Sequence, residues 1–396
     1  MPSRSMPNDD PERRFRSLPF ALRRWSFSAI WRQVRMPVRR RRWQGLNRTV
    51  AAPYAKAAAP KAEGISLAMG DFSGQSGLSR AALYELERLR QSVPDLEAID
   101  LNAPSPVETT VGTLYLLSAP DTFARLLPLI APERIAEAHR IGLWVWESPL
   151  FPEDWRFALD LVHEIWTPSA YSRHALIQAD ERVPVHVRPH HVGPPQRVAP
   201  LDRQAWNIPE DAFLGLAIMD LTSCPARKNP WAHVAAWQAA FGDDPDKVLL
   251  LKARVSKRTR VVLDELAEMI GGAGNIHVFE AHLSEAEIAG LQRGADVYLS
   301  LHRAEGYGLN IRECLDAGID VLATDWSANA EYGPSYDNYH PVPWRLVPYR
   351  DWTRHYPDGA FAWAEADIAA AARMLRALAA RSAGASAPAL PDRALS

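Results

Sequence analysis

The chain has 396 residues, of which 47% are apolar and 23% charged. That length exceeds one typical domain and suits two α/β domains of about 150 residues each. Two distant cysteines, Cys224 and Cys314, exclude a disulfide framework or a cysteine metal cluster. No apolar run approaches the roughly 18 residues of a membrane span, and no secretory signal is visible, so the expected location is cytoplasmic.

The net charge of -2 hides an asymmetry: residues 1–62 carry 15 Lys and Arg against 3 Asp and Glu, leaving the remainder with 30 against 44. In residues 13–43 arginines interleave with Phe15, Phe20, Trp25, Phe27, Trp31 and Trp43, and four stand together at Arg39 to Arg42. Such a mixture suits an anionic bilayer surface, where each basic residue contributes about 1 kcal/mol and aromatic rings settle at headgroup level. Pro19 and Pro37 break its helical pattern, so a disordered leader is an equal reading, and nucleic-acid binding ranks below both. Peripheral contact with the inner membrane face is the corresponding alternative for location.

Residues 51–62 read as an Ala/Pro linker, and order is expected from Ile65. ISLAM is a short apolar run. After a Gly-rich segment, Ala82, Leu83, Leu86 and Leu89 recur at helical spacing. The pattern then predicts strands at Thr113–Leu117, at 141–147 (IGLWVWE), at Ile165–Thr167 and at Val185–Arg188. Helices are expected at Ile135–Arg140, Asp154–Glu164 and Tyr171–Ala179. A crossing follows, with Pro189, Pro194, Pro195 and Pro200. The second half repeats the alternation. Its predicted strands are Phe213–Met219, Val248–Lys252, Ile276–Phe279, Val297–Leu301 and Val321–Thr324, and its helices include Trp231–Phe241, Arg258–Ile270 and Glu285–Arg293. Strands alternating with helices imply parallel sheets, and a ligand in the cleft at the strands' carboxyl ends.

The strongest chemical signal is VYLSLHRAEGYGLNIRECLDAG, residues 297–318. It reads as buried strand, polar loop and helix. Gly306 and Gly308 let the backbone approach a ligand, while Tyr307 and Leu309 complete the turn. The helix beginning near Leu309 aims free N–H groups and its positive dipole end at that place, favouring an anion such as a diphosphate. Glu305 and Glu313 flank the turn. Carboxylates accept from sugar hydroxyls rather than from phosphate, so the pattern suits a phosphate with a sugar on each side. His302, just before the loop, is a candidate donor contact, although a lone histidine at a strand end is more often structural.

Three other segments support this one. Arg227 and Lys228 precede a predicted helix, and Lys252 ends the strand in LLLKA. Cations held in a partly dry cleft can stabilise a departing diphosphate. In GDFSGQSGLSRA, Gly74 and Gly77 frame a turn before a helix capped near Ser79. This is not a dinucleotide fingerprint, and a nicotinamide cofactor is disfavoured. In LWVWESP, Trp144 and Trp146 alternate on a strand that would end at Glu147, and rings beside a carboxylate suit sugar packing. Ser169 and Arg173 read as a loop and helix start. His190 and His191 have no acidic or Cys partner at ligand spacing, and the D-x-D at Asp244 and Asp246 precedes a strand, so no metal is expected.

Glu305 and Glu313 match a Glu-x7-Glu signature. With HRAEGYGLNIRE and VLATDWSANAEY, they make the chain resemble retaining family-four glycosyltransferases of the GT-B fold, of the kind acting in bacterial surface polysaccharide synthesis. The resemblance spans roughly 65–375 and is strongest over 213–333. It implies an α/β fold of two Rossmann-like domains whose parallel sheets face a central cleft. The expected division is a leader and linker (1–62), an acceptor domain (63–195), a donor domain (196–381) and a flexible tail (382–396). The implied reaction moves a hexose from a nucleoside diphosphate sugar to a saccharide or lipid-linked acceptor, with no cofactor, metal or nucleic-acid partner. By resemblance Glu305 contacts the donor sugar, Glu313 the ribose, Lys228 the diphosphate, and Gly77 faces the phosphates. Related enzymes carry such a W-x-W-E segment, which implies a catalytic Glu147 touching the acceptor or the reacting centre. Thr222 stands where the family usually has an arginine, and Arg227 is the expected substitute. The rival readings are a non-catalytic nucleotide-sugar or glycan binder, and a GT-B epimerase or phosphorylase.

Overall fold

The computed structural model describes residues 45, 48–61, 63–74, 76–193, 198–349, 351–353, 356 and 361–384. The Arg/aromatic head at 13–43 and most of the tail at 382–396 lie outside the described residues.

Two six-stranded parallel sheets organise the chain. The first is built from β1 (Ile65–Gly70), β2 (Glu97–Asp100), β3 (Val111–Leu117), β4 (His139–Leu143), β5 (Glu164–Thr167) and β6 (Val185–Val187), in the order β2-β1-β3-β4-β5-β6. Its helices include α1 (Gly77–Ser92) and α2 (Ala170–Ile177). The second contains β7 (Phe213–Asp220), β8 (Lys247–Arg254), β9 (Ile276–Glu280), β10 (Val297–Ser300), β11 (Asp320–Thr324) and β12 (Tyr339–Val342), in the order β12-β11-β10-β7-β8-β9. Around it lie α3 (Pro230–Phe241), α4 (Val261–Ile270), α5 (Glu285–Gly294), α6 (Leu309–Asp316), α7 (Ala328–Tyr332) and α8 (Ile368–Ser382). FLGLAIMD and KVLLLKAR are nearly continuous apolar runs because β7 and β8 are buried on both faces.

The chain winds outward from β7 to β8 and β9, then returns to place β10 on the opposite side of β7. That reversal opens a crevice at the carboxyl ends of β7 and β10, where ligands bind in sheets of this kind. The loops after these two strands carry Arg227, Lys228 and Glu305.

Several local expectations fail for tertiary reasons. Ile135–Arg140 is not a helix: a 3-10 turn at Pro132–Arg134 leads into β4. Arg140 is drawn into the interior, where its guanidinium donates to the carbonyls of Tyr54 and Ile135. The strand expected over 141–147 stops at Leu143. Trp144 and Trp146 then turn into the first core beside Trp155, at ring distances of 6.0 and 4.8 Å, and are not available to a sugar. Asp154–Glu164 is a 3-10 helix only over Glu153–Asp160, and β5 starts at Glu164. The cap of α1 is Ser76, whose hydroxyl accepts from the Ser79 N–H; Ser79 is buried on Asp71 instead. A last hairpin, β13 (Trp344–Pro348) with β14 (Ala362–Ala366), has no counterpart in the sequence reading. Val347, Tyr349, Tyr356, Phe361 and Trp363 from this region pack into the core of the first lobe, although α8 follows in the second.

Candidate active site

The site begins at the loop after β7. Thr222 closes on Asp220 through its N–H (2.9 Å) and hydroxyl (2.6 Å), so it offers no cation. A single helical turn, Pro225–Lys228, presents Arg227 and Lys228, and Asn229 in the left-handed region starts α3. Arg303, on the loop after β10, ties the two loops together. Its N–H donates to the Arg227 carbonyl (2.7 Å) and its guanidinium to the Ala226 carbonyl (2.6 Å) and Glu365 (2.7 Å).

Glu305 sits where these loops meet and is 8% exposed. Arg227 Nη1 donates to its Oε2 at 3.0 Å and to the Ala304 carbonyl at 2.9 Å, while Lys228 Nζ donates to Oε1. Arg227 Nη2 lies 3.4 Å from Glu147 Oε1, so one buried guanidinium bridges a carboxylate from each lobe. Tyr356 completes the group by donating to Glu147 Oε2 at 3.1 Å. Burial alone would raise the Glu305 carboxyl, but Lys228 and Arg227 overcome it and hold it down at about 2. The Lys228 side chain is 21% exposed, which leaves it reachable from the cleft in a way that Arg227 is not.

The Gly-Tyr-Gly turn follows. Gly306 is pressed against the first lobe: a Cβ there would lie 2.5 Å from Val145 Cγ1 and 3.2 Å from Glu147 Cγ. Ser169, the cap of α2, donates to the Gly306 carbonyl at 2.8 Å and so joins the lobes as well as starting a helix. Gly308 has φ +84°, a left-handed conformation that glycine adopts without strain, and opens α6 with no side-chain cap. The first N–H groups of α6, from Leu309 onward, therefore have no side-chain acceptor at the cap, and they follow directly on the loop that carries Glu305. Tyr307 turns away, its ring on His190 (4.9 Å) and its hydroxyl on the His190 carbonyl (3.1 Å), so the side chain serves the crossing between lobes. His302 is buried behind the loop, and burial lowers its imidazole to about 4, which keeps it neutral.

Glu313 lies one turn into α6 and meets two partners from across the cleft and one from its own lobe. Tyr84 donates to its Oε1 at 3.1 Å, Arg80 to the same oxygen, and Gln292 to Oε2 at 3.2 Å. Arg80 also lies 3.1 Å from Glu285 Oε2 and donates to Asn310 at 3.3 Å. Burial and the Glu313 charge push the Tyr84 phenol up to about 12. Arg80, Tyr84, Glu285, Gln292 and Glu313, with Ile288, line a cavity of about 120 Å³. Gly77, the first residue of α1, is exposed with open space around it. Lys252 stands on β8 rather than on either loop; it is partly buried, which lowers its ammonium, and the Asp220 charge opposes that shift.

The structure thus gathers Glu147, Arg227, Lys228 and Glu305 at one point, and Glu313 with Arg80 and Tyr84 at another. Arg80, Tyr84, Arg303 and Tyr356 escape the sequence reading. A signal existed for the first two: Arg80 and Tyr84 are four apart on the helix that leaves the Gly loop, hence on one face. No group of three or more His, Cys, Asp or Glu among the described residues could hold a metal ion.

No protein-family description matches the chain, and no curated protein sequence matches it. Solved structures do. HepE from Anabaena, crystallised with UDP and glucose, aligns with a TM-score of 0.53 at 15% identity, over 67% of this chain and 82% of its own. The same protein with UDP-glucose gives 0.52 at 14% identity. WaaG, a glycosyltransferase involved in lipopolysaccharide biosynthesis, gives 0.50 at 13% identity over 80% of this chain and 91% of its own. The fold is GT-B: two parallel-sheet α/β lobes facing each other across a cleft.

Proposed function

We propose that the protein is a retaining glycosyltransferase that moves a hexose from a nucleoside diphosphate sugar to a saccharide or lipid-linked acceptor, in the assembly of a cell-surface polysaccharide. The observation that carries this reading is the buried Arg227–Glu305–Lys228 group beside the uncapped start of α6, at the reversal point of the second sheet. A carboxylate held ionised by two cations accepts from sugar hydroxyls, and the adjoining helix end and Lys228 accommodate a diphosphate. Glu305 then orients the hexose, and Glu313 takes the ribose once its present partners yield. Because Arg227 is enclosed between two carboxylates, its part is to position them; Lys228 faces the leaving group.

In the reaction the bond from the anomeric carbon to the diphosphate oxygen breaks, and the acceptor oxygen bonds to that carbon from the face just vacated. The acceptor's proton passes to the departing phosphate oxygen, so no enzymic base is required. Among the described residues no helix is long and apolar enough to cross a membrane. The Arg/aromatic composition of residues 13–43 is what supports work at the inner face of the membrane. A thermal-shift screen against UDP-, GDP-, ADP- and dTDP-sugars should give a saturating rise with at least one donor. With that donor, Lys228→Ala should lower turnover about a hundredfold. Wild-type turnover in both Lys228→Ala and Glu305→Ala would refute the assignment.

A further inference from the structure

A row of aromatic rings leads outward from the paired acids. Tyr171, in the first turn of α2, donates its hydroxyl to the Glu147 carbonyl at 3.2 Å. Its ring meets Trp326 edge to face at 5.9 Å, and Trp326 meets Trp344 in the same manner at 4.5 Å. The inner end is fixed. Glu331 accepts from the N–H groups of Ala170 and Tyr171 at 2.9 and 2.7 Å, and Ser327, next to Trp326, accepts from the Glu305 N–H at 2.8 Å. The outer end is open: Trp344 is 37% exposed, and Leu346, two residues along β13 and on the same side of the strand, is 54% exposed. Trp344 turns its indole N–H inward onto the Asp325 carbonyl at 2.5 Å, leaving apolar ring surface outside.

We infer that this row is an acceptor subsite for an oligosaccharide, with the sugar to be extended at Glu147 and the preceding units lying along Trp326 and Trp344; the inference rests on the glycosyl-transfer reading above. Two observations select a saccharide. The row touches the backbone of both acids of the site, Glu147 through Tyr171 and Glu305 through Ser327, so a chain bound on it has its end beside them. Flat rings match the apolar CH faces of pyranoses, and Trp344, its N–H turned inward, presents such a face outward.

The test titrates the full-length protein, with and without UDP or GDP, against gluco-, manno-, galacto- and chito-oligosaccharides graded from monosaccharide to hexasaccharide. In the wild type at least one series should tighten with length, by about tenfold in all, as an added aromatic contact provides. Trp344→Ala should flatten that dependence while nucleotide thermal shifts stay unchanged; Met269→Ala, an exposed apolar residue elsewhere, should flatten nothing. Length dependence that survives in Trp344→Ala overturns the subsite. So does a wild type that binds nucleotide but no oligosaccharide, or a Trp344→Ala variant whose only loss is binding to phosphatidylglycerol vesicles. Absence of any nucleotide shift in the wild type defeats the glycosyl-transfer reading instead, and the sugar titration without nucleotide then judges the subsite by itself.

Discussion

Glu305 and Glu313 belong to one loop and helix, yet their surroundings are built on opposite plans. The cations of Glu305 come from its own lobe, on a neighbouring loop locked by Arg303, so its ion pairs exist whether or not the cleft is occupied. Glu313 is held chiefly from the other lobe, by Arg80 and Tyr84 on α1. A ligand that is to use Glu313 must displace those groups, and the cavity of about 120 Å³ they enclose is smaller than the roughly 300 Å³ and more of an ordinary ligand pocket. One acid is fixed within its own lobe, and the other ties the two lobes together.

The largest expected effect of this contrast is on Glu305. Glu305→Gln leaves buried Arg227 without a full counter-charge. Unfolding in urea should show a loss of about 3 kcal/mol, and donor turnover should fall about a thousandfold. A Glu313→Gln variant with equal losses would erase the distinction. Next comes pH. The Glu305 carboxyl is held at about 2 against an ordinary 4.5, so its contribution to stability is complete above pH 4.5 and drains away as the pH falls towards 2. Urea midpoints measured through that range should fall in the wild type and be flatter in Glu305→Gln. The smallest effect has the opposite sign. Arg80→Ala removes the cross-lobe catch, so the open form is more populated and calorimetry should show nucleotide binding about fivefold tighter, with a small loss of melting temperature. Weaker binding in Arg80→Ala would make Arg80 a direct ligand of the nucleotide and remove the catch.

The parts of the molecule legible in the sequence are those with local causes. The doubly buried strands β7, β8, β10 and β11 announce themselves as apolar runs, and the turn from Glu305 to Glu313 is visible because glycines, acids and a helix start fall within a few residues. What was hidden depends on distant partners. β2 reads EAID, too short and polar to distinguish from a loop until it pairs with β1. Trp144 and Trp146 continue the strand alternation in sequence, but β4 ends at Leu143 and their rings are buried beside Trp155. Arg80 and Glu313 are 233 positions apart, and nothing near either one reveals the other.

The final stretch of the chain has a mechanical meaning. After β12 it crosses to the first lobe, buries Tyr356 and Trp363 there with Tyr349 and Phe361 packed against them, and comes back as α8 against α3 in the second. With the crossing near Pro189 the chain passes between the lobes three times, which restrains free swinging of one against the other. The same strap makes neither half a removable module: cutting the gene between them would strip the first lobe of part of its interior.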